Sequence, residues 1–273
     1  MGKILFGGNP SYNIETYRIF SMIDVNPVGH IILTSIRQSG KTLSIEPYTG
    51  GECNSNTKAL DAYKSAPAGI GGHHPKAVWF KGDDDNPMTP EDERTNRYSQ
   101  RAAGGGSDVK VGFSPDKFRA PTSCFDGKYG SAADEALLHE LVHAARYMRG
   151  LSNAIPTDDN SLFGYGNEEE FLAVVTTNVY LSSKGGTQLR AHHAGHTALQ
   201  PPLNTSAGFL TDKMNWKLLN IYRLTWMNEF LALSYVVTAP FNPFRELSNQ
   251  LRNFPVGSMV AVDRFPEPVK PAH

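Results

Sequence analysis

The sequence has few cysteines: Cys53 and Cys124 are the two in 273 residues. Two thiols so far apart furnish neither a four-thiolate zinc site nor a disulfide framework. They read as free thiols, with a single bridge as the alternative. An excess of one charge is lacking too, since 26 Lys and Arg stand against 27 Asp and Glu. That balance excludes a nucleic-acid or anionic-membrane binder that works through bulk electrostatics. No apolar run reaches the ~18 residues a membrane span needs. The opening Met1–Gly8 carries no apolar stretch of signal-peptide length. Phe6 stands where a myristoylation signal needs Ser or Thr. Glycine and proline are plentiful, at 25 and 18 residues, so the chain is loop-rich. With 40% hydrophobic residues it still has the material for a core.

Residues 1–80 read mostly as β structure. Ile31–Ile36 is apolar and β-branched, Thr42–Ile45 resumes the pattern, and Ser39-Gly40 supplies turn chemistry, which together predict a hairpin. Gly40-Lys41-Thr42 matches the tail of a phosphate loop. Ser35 stands where that motif needs its first glycine, so the backbone cradle is missing. Residues 81–106, with Asp83-Asp84-Asp85, Pro87, Pro90 and Gly104-Gly105-Gly106, read as a boundary loop. The aspartate run lacks the spacing, central glycine and closing glutamate of an EF-hand. Val109–Phe113 then alternates with period two, as a half-buried strand does.

The informative stretch is 131–150. Ser131 is placed to cap a helix, Asp134 follows three residues on, and Gly150 suits the position past its end. Leu137, Leu138, Leu141, Val142, Ala145 and Met148 make a broad apolar face. His139 and His143 are four residues apart, so they leave the helix on one face about a turn apart. Two imidazoles so placed can share one Zn²⁺. Glu140, about 100° around the helix, can reach a metal-bound water without ligating the metal. This is the HExxH pattern, His139-Glu140-Leu141-Val142-His143. From this chain's composition, chance produces roughly 0.014 such matches.

A catalytic zinc takes three protein ligands and keeps one position open. The metzincin extension is excluded, because Arg146 and Arg149 occupy its glycine and histidine places. A second helix is expected from Asn167, a good N-cap, with Glu168, Glu169 and Glu170 in its first turn. Carboxylates there also favour the helix dipole. Glu170 is preferred as the third ligand because Ala173, one turn on, allows close helix packing. Glu169 and Glu168 have the bulky Leu172 and Phe171 at that place. Further alternatives are Asp158 or Asp159, or a third histidine from His192, His193 and His196.

The stretch 107–200 resembles the NleD-like effector metallopeptidases of peptidase family M91, whose relatives include metallopeptidase domains fused to type VI secretion spike proteins. The resemblance is carried by His139–Ala144, Arg146-Tyr147-Met148-Arg149-Gly150 and Glu169-Glu170. Asn167–Ala173 also resembles the ligand helix of anthrax lethal factor, in which the glutamate before the aromatic pair binds zinc; that role carries over onto Glu170. Lethal factor has an assisting tyrosine seven residues before that glutamate, where this chain has Phe163, with Tyr165 the nearest tyrosine.

The expected fold is α+β and zincin-like. It comprises an HExxH helix, a gluzincin-type second helix, an N-terminal β portion and a helical C-terminal region. The whole of 1–273 is expected to form one catalytic unit, with the β portion at 1–80, the loop at 81–106 and the zincin core with C-terminal helices at 107–273. Trp216–Val237 reads as one or two core helices from the spacing of Leu218, Ile221, Tyr222, Trp226, Phe230 and Leu233. Glu140 is expected to serve as general base, with Tyr165, Arg190 and His193 as candidate oxyanion donors. Val109–Phe113 is expected as the edge strand along which substrate pairs. The implied function is a zinc metalloendopeptidase effector or toxin that cleaves a target-cell protein or peptide. It would be secreted or delivered without a cleavable signal peptide, with a secretion-apparatus or immunity partner and no nucleic acid. The rival expectations are a zinc amidase acting on cell-wall peptides and a non-catalytic zinc-containing binding module.

Overall fold

A computed structural model describes residues 1–50, 55–61, 64–65, 105–118, 129–153, 164–193 and 196–252. Cys53, Cys124, Asp83–Asp85, Asp158, Asp159 and Phe163, with the readings attached to them, lie outside the described residues. Four strands form one sheet: β1 (Lys3–Phe6), β2 (Thr42–Glu46), β3 (Asn56–Ala59) and β4 (Val109–Gly112), in the order β1-β2-β4-β3. β1, β2 and β4 run parallel, and β3 is antiparallel to β4 with Thr57 opposite Val111.

Parallel neighbours need a crossover. Between β1 and β2 it consists of two helices, α1 (Pro10–Val25) and α2 (Pro27–Gln38). The hairpin expected across Ile31–Ile36 is therefore overturned, and the first 80 residues are not mainly β. Asn26 caps α2 by accepting the Val28 N–H at 2.9 Å, and Pro27 takes the first helical position, which costs the helix no hydrogen bond. Val28, Ile32, Leu33 and Ile36 are buried at three- and four-residue steps. A short β-branched run fits either period, and here the cap decided it. Gly40, at φ 74°, turns the chain into β2.

The HExxH helix, α3 (Ala133–Met148), packs against α2, β3 and β4 and lies closest to the next helix, α4 (Glu168–Ser183). It is buried on every side from Asp134 to Met148. Its polar side chains must therefore find partners within the protein. Ser131 does not cap it. Ala132 is the residue before the first turn, and the Glu135 carboxylate reaches back to the Ala132 N–H at 3.4 Å. Asp134 instead accepts from the Tyr180 hydroxyl at 2.7 Å and the Lys184 ammonium at 2.6 Å, tying α3 to α4. Gly150 follows the helix at φ 68°, the left-handed position expected of it.

Asn167 caps α4 as expected, accepting the Glu170 N–H at 2.9 Å. β4 alternates as its sequence predicts, but it is flanked by β2 and β3. Among the described residues the outer strand of the sheet beside α3 is thus β3, and β4 is paired on both sides, which corrects the assignment of Val109–Phe113 as the edge. The C-terminal part adds α5 (Ser206–Phe209), α6 (Lys213–Thr225), α7 (Met227–Ser234) and α8 (Pro243–Arg252). Trp216, Leu218, Ile221, Tyr222, Trp226, Phe230 and Leu233 all join one core cluster, which among the described residues includes Ile19 near one end of the chain and Leu247 near the other. Among the described residues no single helix is long and apolar enough to cross a membrane.

The two periods make different demands on neighbouring side chains. In a helix Ile32 and Leu33 both face the core, whereas a strand would send one of them outward. Ile32→Ala and Leu33→Ala are each expected to lower the urea-unfolding free energy by about 2–5 kcal/mol. A strand-like result, with only one of the pair costly, would contradict the helix.

Candidate active site

The buried polar face of α3 meets the first turn of α4, and that meeting sorts the three glutamates. Glu168 Oε2 accepts from the Asn153 side-chain amide at 2.5 Å. Glu169 takes the Arg146 Nε at 2.7 Å and the Asn153 backbone N–H at 2.6 Å. Glu170 turns to the histidines: its Oε2 lies 3.0 Å from His139 Nε2 and 3.3 Å from His143 Nε2. The two Nε2 atoms are 3.2 Å apart. Of the three, Glu170 alone converges with both motif histidines.

These distances test whether a metal ion fits. Nitrogen and oxygen donors at 2.0–2.1 Å around a tetrahedral ion are separated by ~3.3 Å along each edge. The three observed separations, 3.0, 3.2 and 3.3 Å, lie at that length. Without an ion, two imidazole lone pairs face each other across 3.2 Å and need a proton between them. The residues therefore fit a metal ion. His193 approaches from the other side, with its Nε2 3.4 Å from Glu170 Oε2 and its ring stacked on His139 at 5.7 Å. His139, Glu170 and His193 also form a metal-competent group, so two three-residue sets share the His139–Glu170 edge.

Ionisation follows from burial and from these neighbours. Burial pushes His139 down to about 4, against the pull of Glu170. Burial opposes the charge on His143 as well, but Glu170, Glu169 and Glu140 hold its pKa well above the ordinary value. Burial would raise Glu170, yet His143 and His139 keep it far below the usual carboxylate range. Glu140 is raised by burial, more than its neighbours lower it. The cluster thus holds the Glu170 carboxylate as an anion beside the two imidazoles.

The remaining expected residues divide. Arg190 lines the cleft, and burial lowers its pKa to about 10. Its guanidinium donates to the backbone carbonyls of His192, at 2.8 Å, and of His193, so it shapes the loop that carries His193. Asn178 grips the Arg190 backbone from both sides, accepting its N–H at 2.8 Å and donating to its carbonyl at 2.7 Å. Tyr165 is buried edge-on against Phe171 at 4.8 Å and is not among the cleft-lining residues. Its ring belongs to the aromatic core. His192 is bonded to Thr197 at 2.8 Å and His196 Nδ1, also in the cleft wall, to the Tyr129 carbonyl at 3.0 Å, while His193 is the histidine of this loop that pairs with Glu170 among the described residues.

The cleft has a volume of about 320 Å³ and is walled by His139, Glu140, His143, Glu170, Arg190 and His193 together with residues the sequence did not announce. Tyr147, also in the wall, stacks on His143 at 6.1 Å. Its i+4 spacing from His143 was a usable signal. Ser55 and Thr57 contact Glu140 from more than 80 positions away, and no spacing rule reaches that far.

Residues 8–176 match the family model of the M91 peptidases, described as an effector protein. The chain belongs to the M91 peptidase family. No curated protein and no solved structure matches it. The matched span of this M91 peptidase takes in β2, β3 and β4, all of α3 and α4 as far as Thr176, hence both motif histidines and Glu170. Arg190 and His193 lie beyond it.

Arg146 is 1% exposed, pairs with Glu169 and lies over the rings of Tyr222 and Trp226 at 4.8 and 5.5 Å. Arg146→Met strands the Glu169 carboxylate and is expected to cost about 3–5 kcal/mol in urea unfolding. Replacing both partners, as in Arg146→Met with Glu169→Leu, should recover most of that loss. A second expectation concerns pH. Burial lowers His193 from 6.5 to about 4, so across that interval the unfolded chain binds a proton that the folded metal-free protein does not. The linkage makes His193 destabilising as pH falls from 6.5 to about 4. The urea midpoint of metal-free His193→Ala should then fall less steeply over that range than that of the wild type.

Proposed function

We propose that this M91 peptidase is a zinc-dependent metalloendopeptidase that hydrolyses peptide bonds of a target-cell protein. The observation that carries the reading is the convergence of His139, His143 and Glu170 in one cleft, with the Glu140 carboxylate beside them. His139, His143 and Glu170 would hold the zinc, a donor set of two imidazoles and one carboxylate that suits this ion. Bound there, zinc supplies Lewis acidity toward the scissile carbonyl and the attacking water. Glu140 takes the water's proton and returns it to the leaving nitrogen. Its burial raises its proton affinity, in the direction a general base working near neutrality needs. His193, whose Nε2 lies 3.4 Å from Glu170, would offer a ring N–H to the developing oxyanion, and Arg190 holds the His193 loop in place.

Ser55, Asn56 and Thr57 line the cleft, and β3 is hydrogen-bonded to β4 on one side. An extended peptide would run along β3, pairing with the side on which no described strand lies. On this reading residues 1–273 act as one catalytic unit. The effector description supports delivery into a target cell; a bacterial secretion system as the route, and an immunity or secretion partner, belong to the same proposal.

The test uses the best-cleaved peptide from a quenched fluorescent peptide library. Glu140→Gln should retain one equivalent of zinc by elemental analysis while kcat falls by about 10²–10⁴-fold. Glu170→Gln and His143→Ala should lose the zinc, and Glu168→Gln should keep it. Chelation should abolish cleavage, and added zinc should restore it. Full cleavage by Glu140→Gln would overturn the mechanism.

A further inference from the structure

Glu140 is the one α3 carboxylate that faces the cleft, and both of its oxygens are already held. Ser55 Oγ donates to Oε1 at 2.9 Å, and Thr57 Oγ1 donates to Oε2 at 2.6 Å. Ser55 immediately precedes β3 and Thr57 is its second residue, two positions on, so extended backbone sends both side chains to the same face, where both reach Glu140 of α3. β3 itself is fixed by its pairing with β4, where Thr57 lies opposite the fully buried Val111. Thr57 Oγ1 also lies 3.0 Å from the Glu140 carbonyl oxygen. A hydroxyl has one proton to give, and the nearer, charged carboxylate is the better acceptor.

We propose that Ser55 and Thr57 are positioning residues that clamp the Glu140 carboxylate in the orientation proton transfer requires. A glutamate side chain has three rotatable bonds, and a base that swings among rotamers spends little time aligned with its proton. Two hydroxyl donors, one on each oxygen, fix the plane of the carboxylate. The clamp does not consume the base, because each oxygen keeps a second lone pair for the incoming proton. The strand that wall-papers one side of the cleft thus also sets the geometry of the base. The inference rests on Glu140 serving as general base.

The experiment compares zinc-loaded wild type with Ser55→Ala, Thr57→Val, the double variant, Thr57→Ser and Glu140→Gln. The probe is the best-cleaved peptide from the quenched library. The expected result is a fall in kcat of about 10-fold for Thr57→Val and about 30- to 100-fold for the double variant, with KM within about twofold. Zinc content should stay at one equivalent. Thr57→Ser, which keeps the hydroxyl, should return kcat to within about threefold of wild type. Ser55→Ala, at the strand's start, gives a several-fold loss of its own and tests the clamp even if Thr57→Val does not fold. Unchanged kcat in both Ser55→Ala and the double variant, with Glu140→Gln inactive, would overturn the clamp alone. A raised KM at constant kcat would likewise overturn it in favour of substrate binding. An active Glu140→Gln would overturn the base assignment and the clamp with it.

Discussion

The rest of the structure depends on burying a charged helix. From Asp134 to Met148 α3 has no solvent-facing side, yet it carries Asp134, Glu135, His139, Glu140, His143 and Arg146. An unpaired polar group in such surroundings costs several kcal/mol, so each needs a partner supplied by a neighbouring element. Lys184 and Tyr180 meet Asp134 at one end of α4, and the first turn of α4 meets His139, His143 and Arg146 at the other. β3 meets Glu140. The sheet, the crossover helices and the C-terminal helices serve this arrangement by excluding water around it.

The acidic turn Glu168-Glu169-Glu170 shows how one local signal carries three jobs. All three carboxylates suit a helix N-terminus, which explains why they are tolerated side by side. Helical geometry then points them in different directions, about 100° apart. Glu168 is drawn to Asn153, Glu169 neutralises Arg146, and Glu170 is left facing the imidazoles. Glu169 also lies 3.9 Å from His143 Nδ1, so the Arg146 charge and the metal-facing histidine share one carboxylate neighbour. The charge balance that makes the chain nearly neutral overall is thus repeated within its core.

Legibility in the sequence followed the range of each interaction. The HExxH spacing, the Asn167 cap and the left-handed Gly150 are local, and they were readable because one turn of helix decides them. The preference for Glu170 came from a packing argument over four residues and agrees with the distances found. Ile31–Ile36 misled because a short apolar run satisfies both periods, and the deciding signal lay upstream in Asn26-Pro27. Ser131 misled because Asp134, expected in a capping box, had a stronger partner in Lys184. Nearness in sequence to Glu170 says nothing of direction for Tyr165, whose ring packs edge-on against Phe171.

By itself, then, the sequence determined the residue types and their order: two imidazoles and a glutamate on one helix, carboxylates opening the next, and too few thiols for a four-thiolate zinc site. These follow from side-chain chemistry and from the helix period, both of which are local. Only the tertiary structure decided which carboxylate faces the histidines, that β3 rather than β4 borders the cleft, and that Ser55 and Thr57 hold Glu140. Those contacts join residues 31 to 85 positions apart. Their geometry is set by how helices and strands pack around a buried charge, which no spacing along the chain encodes.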